Sequence, residues 1–350
     1  MCLNRLDTVL LFGPPLVFAM RSIGWKRALP SLAIGFAPMF AWELFSIVYY
    51  GFWFPNTAYA KLSTGIPEFS LLRQGAWYFA VQGGWDAVAS ATLVLGVAIS
   101  LARGGDARMA AIGVVASLAY VAWIGGDFMC GRFFAAPMIA CVALLADCDF
   151  RGARALVLAI VPALAFFSTA PEGLHKWMNA KARVYSEHGV VDERLFYYRI
   201  TGLLLAQPRD PYLWDFGRKM REDPFLTRVE PCIGIVGFSA GPTVHIIDNY
   251  ALADALLARL PVAHPESFRV GHFERALPDG YYMTIATGYN RLRAPKLARY
   301  WDDLALVTRA PLFSRRRLAA LWRIHTVDES LLRGAPPAAP PPREHEEREP

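Results

Sequence analysis

Residues 29–61 read LPSLAIGFAPMFAWELFSIVYYGFWFPNTAYAK. Residues 29–50 are apolar apart from a few small polar groups and Glu43. As a helix, such a run is long enough to cross a bilayer, which takes about 20 residues for about 30 Å of hydrocarbon. It ends among Tyr49, Tyr50, Phe52, Trp53 and Phe54. Aromatic rings with one polar end settle at headgroup depth, where apolar body and polar tip are both satisfied. Pro55 holds the preceding residues extended and ends the span. Asn56 or Thr57 is then expected to cap a new turn that carries Tyr59 and Lys61 forward on one side. The stretch predicts a membrane helix that surfaces into a polar, basic motif.

The rest of the chain agrees with that reading. The 350 residues are 55% hydrophobic and 19% charged, with mean hydropathy +0.27. A soluble domain carries about 25% charge. The deficit lies in the first half, where further apolar runs are expected to span at 8–20, 86–102, 108–126, 133–148 and 154–170. Residues 67–82 read as an amphipathic helix lying in the interface. The expected fold is thus an α-helical polytopic membrane domain of about six spans over residues 1–170, with loops at 51–85 and 127–132. A mixed α/β soluble domain over 171–333 follows, then a Pro-rich, charged, disordered tail over 334–350. Loop charge gives the orientation. Arg21, Lys26, Arg27, Arg103, Arg108, Arg151 and Arg154 fall on one side, and Arg5, Lys61, Arg73 and Arg132 on the other. The richer set is expected in the cytoplasm, which puts the C-terminal domain outside.

Within that outer domain, 172–188 and 192–206 read as helices, 232–238 and 243–248 as strands joined by a hairpin, and 250–260 as a helix with its leucines on one side. A helix is expected to start near 278–280, and 312–325 is basic and amphipathic. The net charge of +6 comes without a basic helix interleaved with aromatics, so nucleic acid is not an expected partner. Anionic lipid accounts for the sign. The five cysteines form no CxxC pair and no metal spacing. Only Cys130 and Cys232 are expected to share the outer compartment, and spacing alone does not establish a bond between them.

Three polar constellations stand out. The turn Gly125-Gly126-Asp127-Phe128-Met129-Cys130-Gly131-Arg132-Phe133 joins two expected spans on the same side as residues 54–61, with Asp127 and Arg132 expected to face water at the membrane edge. It is either a tight loop with a local ion pair or an acid and a base held at lipid-headgroup depth. Glu43 falls under the same argument, as a site residue or as the partner of a neighbouring helix. Lys61, Arg132 and His175-Lys176 could hold a phosphate, Arg as a forked donor and Lys as a point charge, or simply anchor the interface. Gly237-Phe238-Ser239-Ala240-Gly241 matches the G-x-S-x-G nucleophile elbow, with Asp248 or Asp254 and His264 or His272 in the right chain order. That elbow needs a helix directly after the serine, and Pro242 followed by an apparent strand disfavours it. Asp248-Asn249-Tyr250 and Arg269–Arg275, with His272, Glu274 and Arg275, are polar runs between apolar ones. They are either sugar-contacting loops or loop anchors.

FPNTAYAKL (54–62), the GGDFM-x-GRF turn (125–133) and DNYALADALLARLP…FRVGHFERALPDGYY (248–282) together resemble the terminal arabinofuranosyltransferases of the mycobacterial cell wall and their bacterial relatives, members of the GT-C superfamily. The resemblance runs from about residue 5 to 325. It implies an enzyme of the bacterial cytoplasmic membrane that takes a sugar from a polyprenyl-phosphate donor and adds it to an envelope polysaccharide. It further implies a donor-phosphate site at Asn56, Tyr59, Lys61, Asp127 and Arg132, and acceptor contacts at Asp248, Asn249, His272, Glu274 and Arg275. No nucleotide fingerprint is needed, and the need for a divalent cation stays open. The acidic pair that serves such enzymes as general base, in a large outer loop after the first span, has no counterpart here. The family pattern therefore implies a chain that begins partway in; Asp127 is left to orient donor or acceptor, or to act as base. Without that base, a non-catalytic scaffold or glycan-binding subunit is the main competing reading. A transporter follows it, supported only by Glu43.

Overall fold

The computed structural model describes residues 2–149, 163, 186–193, 196–197, 212–231 and 233–326. The chain forms two compact units, Met1–Trp42 with Pro67–Arg199, and Glu43–Ile66 with Ile200–Pro350. It is mostly helical with one small sheet. The expected span 154–170, the helices 172–188 and 192–206 and the tail 334–350 fall largely or wholly outside the described residues.

The apolar runs of the first unit form the helices expected of them. These are α1 (Thr8–Ile23), α2 (Trp25–Tyr49, continuing into the second unit), α4 (Glu68–Trp85), α5 (Ala87–Arg103), α6 (Gly105–Trp123) and, after a 3₁₀ turn at Arg132–Phe134, α7 (Ala135–Ala146). Ile34 (76% exposed), Phe40 and Leu44 of α2 stand outward. A helix this long and apolar, with its apolar side chains uncovered, suits hydrocarbon and not water. By length and apolarity α2 and α6 can each cross a membrane, and α4 with α5, bent by 111°, can form a third, broken span. α1 and α7 are shorter apolar helices. The helix expected over 67–82 is found as α4, one side of which buries Gly75, Tyr78 and Gln82.

Small residues set the helix crossings, as membrane bundles require where packing replaces the hydrophobic effect. A Cβ on Gly113 of α6 would stand 2.0 Å from the Leu11 carbonyl oxygen of α1, and one on Gly75 of α4 would stand 2.1 Å from that of Ala122 of α6. Around these crossings Leu11, Tyr78, Leu93, Val114, Val121 and Phe134 form the core.

The second unit holds α3 (Asn56–Leu62), α8 (Tyr212–Glu222), β1 (Thr227–Glu230), α9 (Ile233–Ala240), β2 (His245–Asp248), a 3₁₀ turn at Leu257–Arg259, α10 (Tyr281–Thr287), α11 (Pro295–Arg309) and α12 (Arg315–Thr326). β1 and β2 pair in parallel, Thr227 opposite His245 and Glu230 opposite Asp248. α11 buries Leu297, Tyr300, Trp301, Leu304 and Val307 at helical spacing. They join Phe52, Ile247, Leu256, Leu257, Tyr281 and Ile324 in one core. Burying each of the larger side chains contributes about 1.5–3 kcal/mol.

Three expectations fail here. Residues 233–240 are a helix, not a strand, so the connection to β2 is a crossover in a βαβ unit and not a hairpin. Parallel strands need such a crossover. Residues 250–260 are turns with a single 3₁₀ segment, because Asp248 and Asp254 draw the local N–H groups into their carboxylates. Neither Asn56 nor Thr57 caps α3. Its N-cap is Pro55, extended at φ −65° and ψ 154°, with no side-chain cap bond.

Candidate functional site

Two of the three motif stretches, nearly two hundred residues apart in the chain, meet in the second unit. α3 carries Asn56, Tyr59 and Lys61, and the 248–275 loops fold against it. The joint is Arg259. Its guanidinium lies 3.9 Å from the Phe52 ring centroid and 4.2 Å from that of Tyr59. It donates to the Ala255 carbonyl at 2.6 Å and to Asn56 Oδ1 at 3.4 Å. A cation desolvated between two aromatic faces is worth about 2 kcal/mol. Its Nη2 is buried with no hydrogen-bond partner among the described residues. The sequence pattern hid Arg259 inside an expected amphipathic helix. The one signal was an arginine within the otherwise apolar ALLARLP.

Arg275 is the second joint. It is 1% exposed and donates to the carbonyls of Leu260 (2.7 Å), Phe273 (2.6 Å) and Ala60 (2.6 Å). The Ala60 carbonyl lies in the last turn of α3, whose C-terminal carbonyls lack partners within the helix. Burial lowers the pKa of this guanidinium to about 10, so it stays charged at neutral pH. Arg275 therefore locks the site together from inside and is not placed to touch an acceptor.

The remaining acceptor candidates divide. Asp248 is 2% exposed, and its carboxylate accepts from the backbone N–H groups of Tyr250 (3.0 Å) and Ala253 (2.9 Å). Burial raises its pKa, opposed by those N–H groups. Asp254 repeats the pattern, taking the N–H groups of Leu256 and Leu257 and the Tyr281 hydroxyl at 2.8 Å, and burial raises its pKa too. Both are loop anchors. Asn249 and Glu274 meet side chain to side chain at 3.3 Å. His272 packs edge-on to Tyr250 at 5.0 Å between ring centroids. Burial, with the charges of Arg269 and Lys61, holds its pKa down to about 4. The ring is therefore neutral at pH 7, and Lys61 and Arg269 lie within electrostatic reach of it. The second unit thus assembles Asn56, Tyr59, Lys61, Arg269, His272 and Glu274 on a base of buried arginines. Such a group offers cations suited to a phosphate, and an amide, a carboxylate and ring faces suited to a sugar.

A pH dependence follows. A histidine whose folded pKa lies below its unfolded value of about 6.5 binds fewer protons when folded, so stability rises with pH across that window. The thermal midpoint of the second unit is expected to fall as pH drops from about 6.5 toward 4, at a cost of about 1–2 kcal/mol for this partly exposed ring. His272→Asn should flatten that dependence, as followed by melting at several pH values.

No family model matches the chain, and no curated protein or solved structure matches it significantly.

The third motif stretch builds a separate site in the first unit. Gly125 and Gly126 have φ of 87° and 75°, and the chain turns back sharply after α6. Asp127, expected to face water, is 1% exposed. Arg132 Nε meets its Oδ2 at 2.8 Å, with the arginine side chain 40% exposed. The guanidinium also lies against the Phe128 and Phe133 rings. Tyr78 donates its hydroxyl to the Met129 carbonyl at 3.0 Å, and Cys130 Sγ donates to Gln82 Oε1 at 3.0 Å. Cys232 lies outside the described residues, as do His175 and Lys176. Val191 pairs with the turn, its N–H donating to Phe128 O at 2.6 Å and its carbonyl accepting from Cys130 N–H at 3.0 Å. The ion pair is thus half-buried and rigidly framed: a carboxylate fixed within, an arginine reaching outward.

The G-x-S-x-G match carries no nucleophile. Ser239 is 3% exposed at the end of a helix, its hydroxyl donating to the Ile235 carbonyl at 2.9 Å. It abuts Gly217, where a Cβ would stand 2.0 Å from the Ser239 oxygen. The elbow requires a serine raised on a turn between strand and helix. Among the described residues no three His, Cys, Asp or Glu side chains converge as a metal site.

Proposed function

We propose that the chain is a membrane glycosyltransferase, or the acceptor-side part of one, acting on a polyprenyl-phosphate-linked sugar outside the cytoplasmic membrane of a bacterium. In this reading the shorter apolar helices join the candidate spans in a GT-C-like bundle of about six crossings, with the second unit outside. The observation that carries the reading is the meeting of residues 54–62 with 248–275, the stretches whose resemblance suggested it. Around Arg259 and Arg275 they gather Asn56, Tyr59, Lys61, His272 and Glu274 directly after a candidate span; in this reading that is the depth where a lipid phosphate presents its head. The reaction is displacement at the anomeric carbon. An acceptor hydroxyl oxygen bonds to that carbon and gives its proton to solvent, the bond to the phosphate oxygen breaks, and the polyprenyl phosphate leaves with its charge offset by Lys61. Arg132, in the first unit, is a separate candidate phosphate contact. Asp127 orients Arg132. A second reading, a subunit that binds lipid-linked glycan without transfer, is favoured by the state of the carboxylates: Asp127 is held by Arg132, and Asp248 and Asp254 by hydrogen-bond donors of their own loops.

Donor binding tests the phosphate sites. Titration of a polyprenyl-phosphate sugar into the full chain in nanodiscs should show affinity weakened about tenfold or more by Lys61→Ala and by Arg132→Ala, the loss expected for one charge-assisted contact. Unchanged affinity in both variants would remove the phosphate sites from the proposal.

A further inference from the structure

We infer that α12 is a membrane-surface anchor that docks the second unit on anionic lipid headgroups. The inference rests on α2 being a span. Three contacts fix α12 to the residues that leave that span. Arg317, 1% exposed, donates to the Tyr49 carbonyl at the C-terminus of α2 at 2.9 Å, as well as to Val307 and Leu312. His325 hydrogen-bonds the Gly51 carbonyl at 2.8 Å. Gly51 itself, at φ 87°, lies so close to Val307 and Leu321 that no side chain fits there. A helix pinned at these points lies at the depth at which α2 surfaces.

Its uncovered face has the composition that this depth selects. α12 buries Arg317, Ala320 and Ile324. On the other side Leu318 and Trp322 (73% exposed) stand outward, with Phe313 (77% exposed) on the turn before the helix. Trp53 and Phe54, on the exit segment, are uncovered as well. Arg315 and Arg316 open the helix and are exposed. No carboxylate lies within ion-pair distance of either among the described residues, whereas Arg323 is held by Asp303. Aromatic and leucine side chains beside arginines that no described carboxylate holds form the pattern of a helix seated in the headgroup region of an anionic bilayer. Large apolar side chains exposed together would be costly in water.

Depth measurement on the full chain tests this. The five cysteines are replaced by serine, and a spin label is placed in turn at 313, 322 and 40. Label accessibility to an aqueous nickel complex and to oxygen is read in detergent and in vesicles with and without phosphatidylglycerol. Labels at 313 and 322 are expected to lose several-fold of their nickel accessibility in the anionic vesicles and to report headgroup depth, with the label at 40 in hydrocarbon. Arg315→Ala and Arg316→Ala should each lower the docked-to-free ratio about fivefold. Labels at 313 and 322 that stay in water while 40 lies in hydrocarbon would overturn the anchor alone. A label at 40 that stays in water would overturn the span and the anchor with it. Protection of 313 and 322 already present in detergent would assign the face to protein and not to lipid.

Discussion

Replacing Arg275 with leucine is expected to destabilise the second unit by about 3–5 kcal/mol. The carbonyls of Leu260, Phe273 and Ala60 then lose their donor together, and each buried acceptor left unsatisfied costs about 1–3 kcal/mol. Entry of a water offsets part of the sum. Leucine supplies apolar volume but nothing that can reach three oxygens. Arg275→Lys should fall between, since one ammonium cannot span the same three acceptors with a guanidinium's geometry. Thermal unfolding of the solubilised chain, followed through Trp301 and the other buried aromatics of that unit, reads the loss. A midpoint for Arg275→Leu equal to that of the parent would show that the guanidinium does not hold α3 to the 260–275 loop.

Gly126→Ala should be nearly as damaging, for a different reason. The residue sits at φ 75°, a left-handed conformation that costs a side chain about 1–2 kcal/mol. A Cβ there would also stand 2.4 Å from the Tyr78 ring. Tyr78 cannot retreat: it is wholly buried and stacked on Phe134 at 5.2 Å. The turn must therefore open, and with it the Asp127–Arg132 pair, for a total loss of about 3–4 kcal/mol. Gly131→Ala is the control. It has φ 79°, but its nearest neighbour is Gln82 Oε1 at 3.6 Å, so only the backbone strain of about 1 kcal/mol applies. Equal stabilities for the two alanine variants would mean that Tyr78 does not enforce the turn.

The long helices were legible because their signal is length and apolarity. Residues 29–50 were expected and Trp25–Tyr49 is found; 108–126 was expected and Gly105–Trp123 is found. Amphipathic α12 was legible by the same periodicity. What failed was short. Ile233–Ala240 is an apolar run whose period cannot separate a strand from a buried helix, and its contact with Gly217 on α8, which no local pattern encodes, accompanies the helix. The leucines of 250–260 imitated a helix until Asp248 and Asp254 took the backbone donors. At the site, the residue types of α3 and the 125–133 turn were legible, but their environments were not. The local ion pair read as one alternative for Asp127 and Arg132 is found, but Asp127 was expected to face water and is buried. Arg275 reads as a sugar contact or a loop anchor and is a loop anchor, bonded to three carbonyls; Arg259 carries no signal beyond its place in an apolar run, and its role as a brace is visible only once the rings around it are placed.

Transfer of a labelled sugar from a polyprenyl-phosphate donor to an envelope polysaccharide, measured with the full chain reconstituted in vesicles, addresses the proposed activity most directly. Glycosylated polysaccharide and free polyprenyl phosphate should accumulate together, with both products sharply reduced in Lys61→Ala and Arg132→Ala. Donor bound by the parent chain with no sugar transferred and no polyprenyl phosphate released would contradict the enzyme reading and leave the chain a binding subunit.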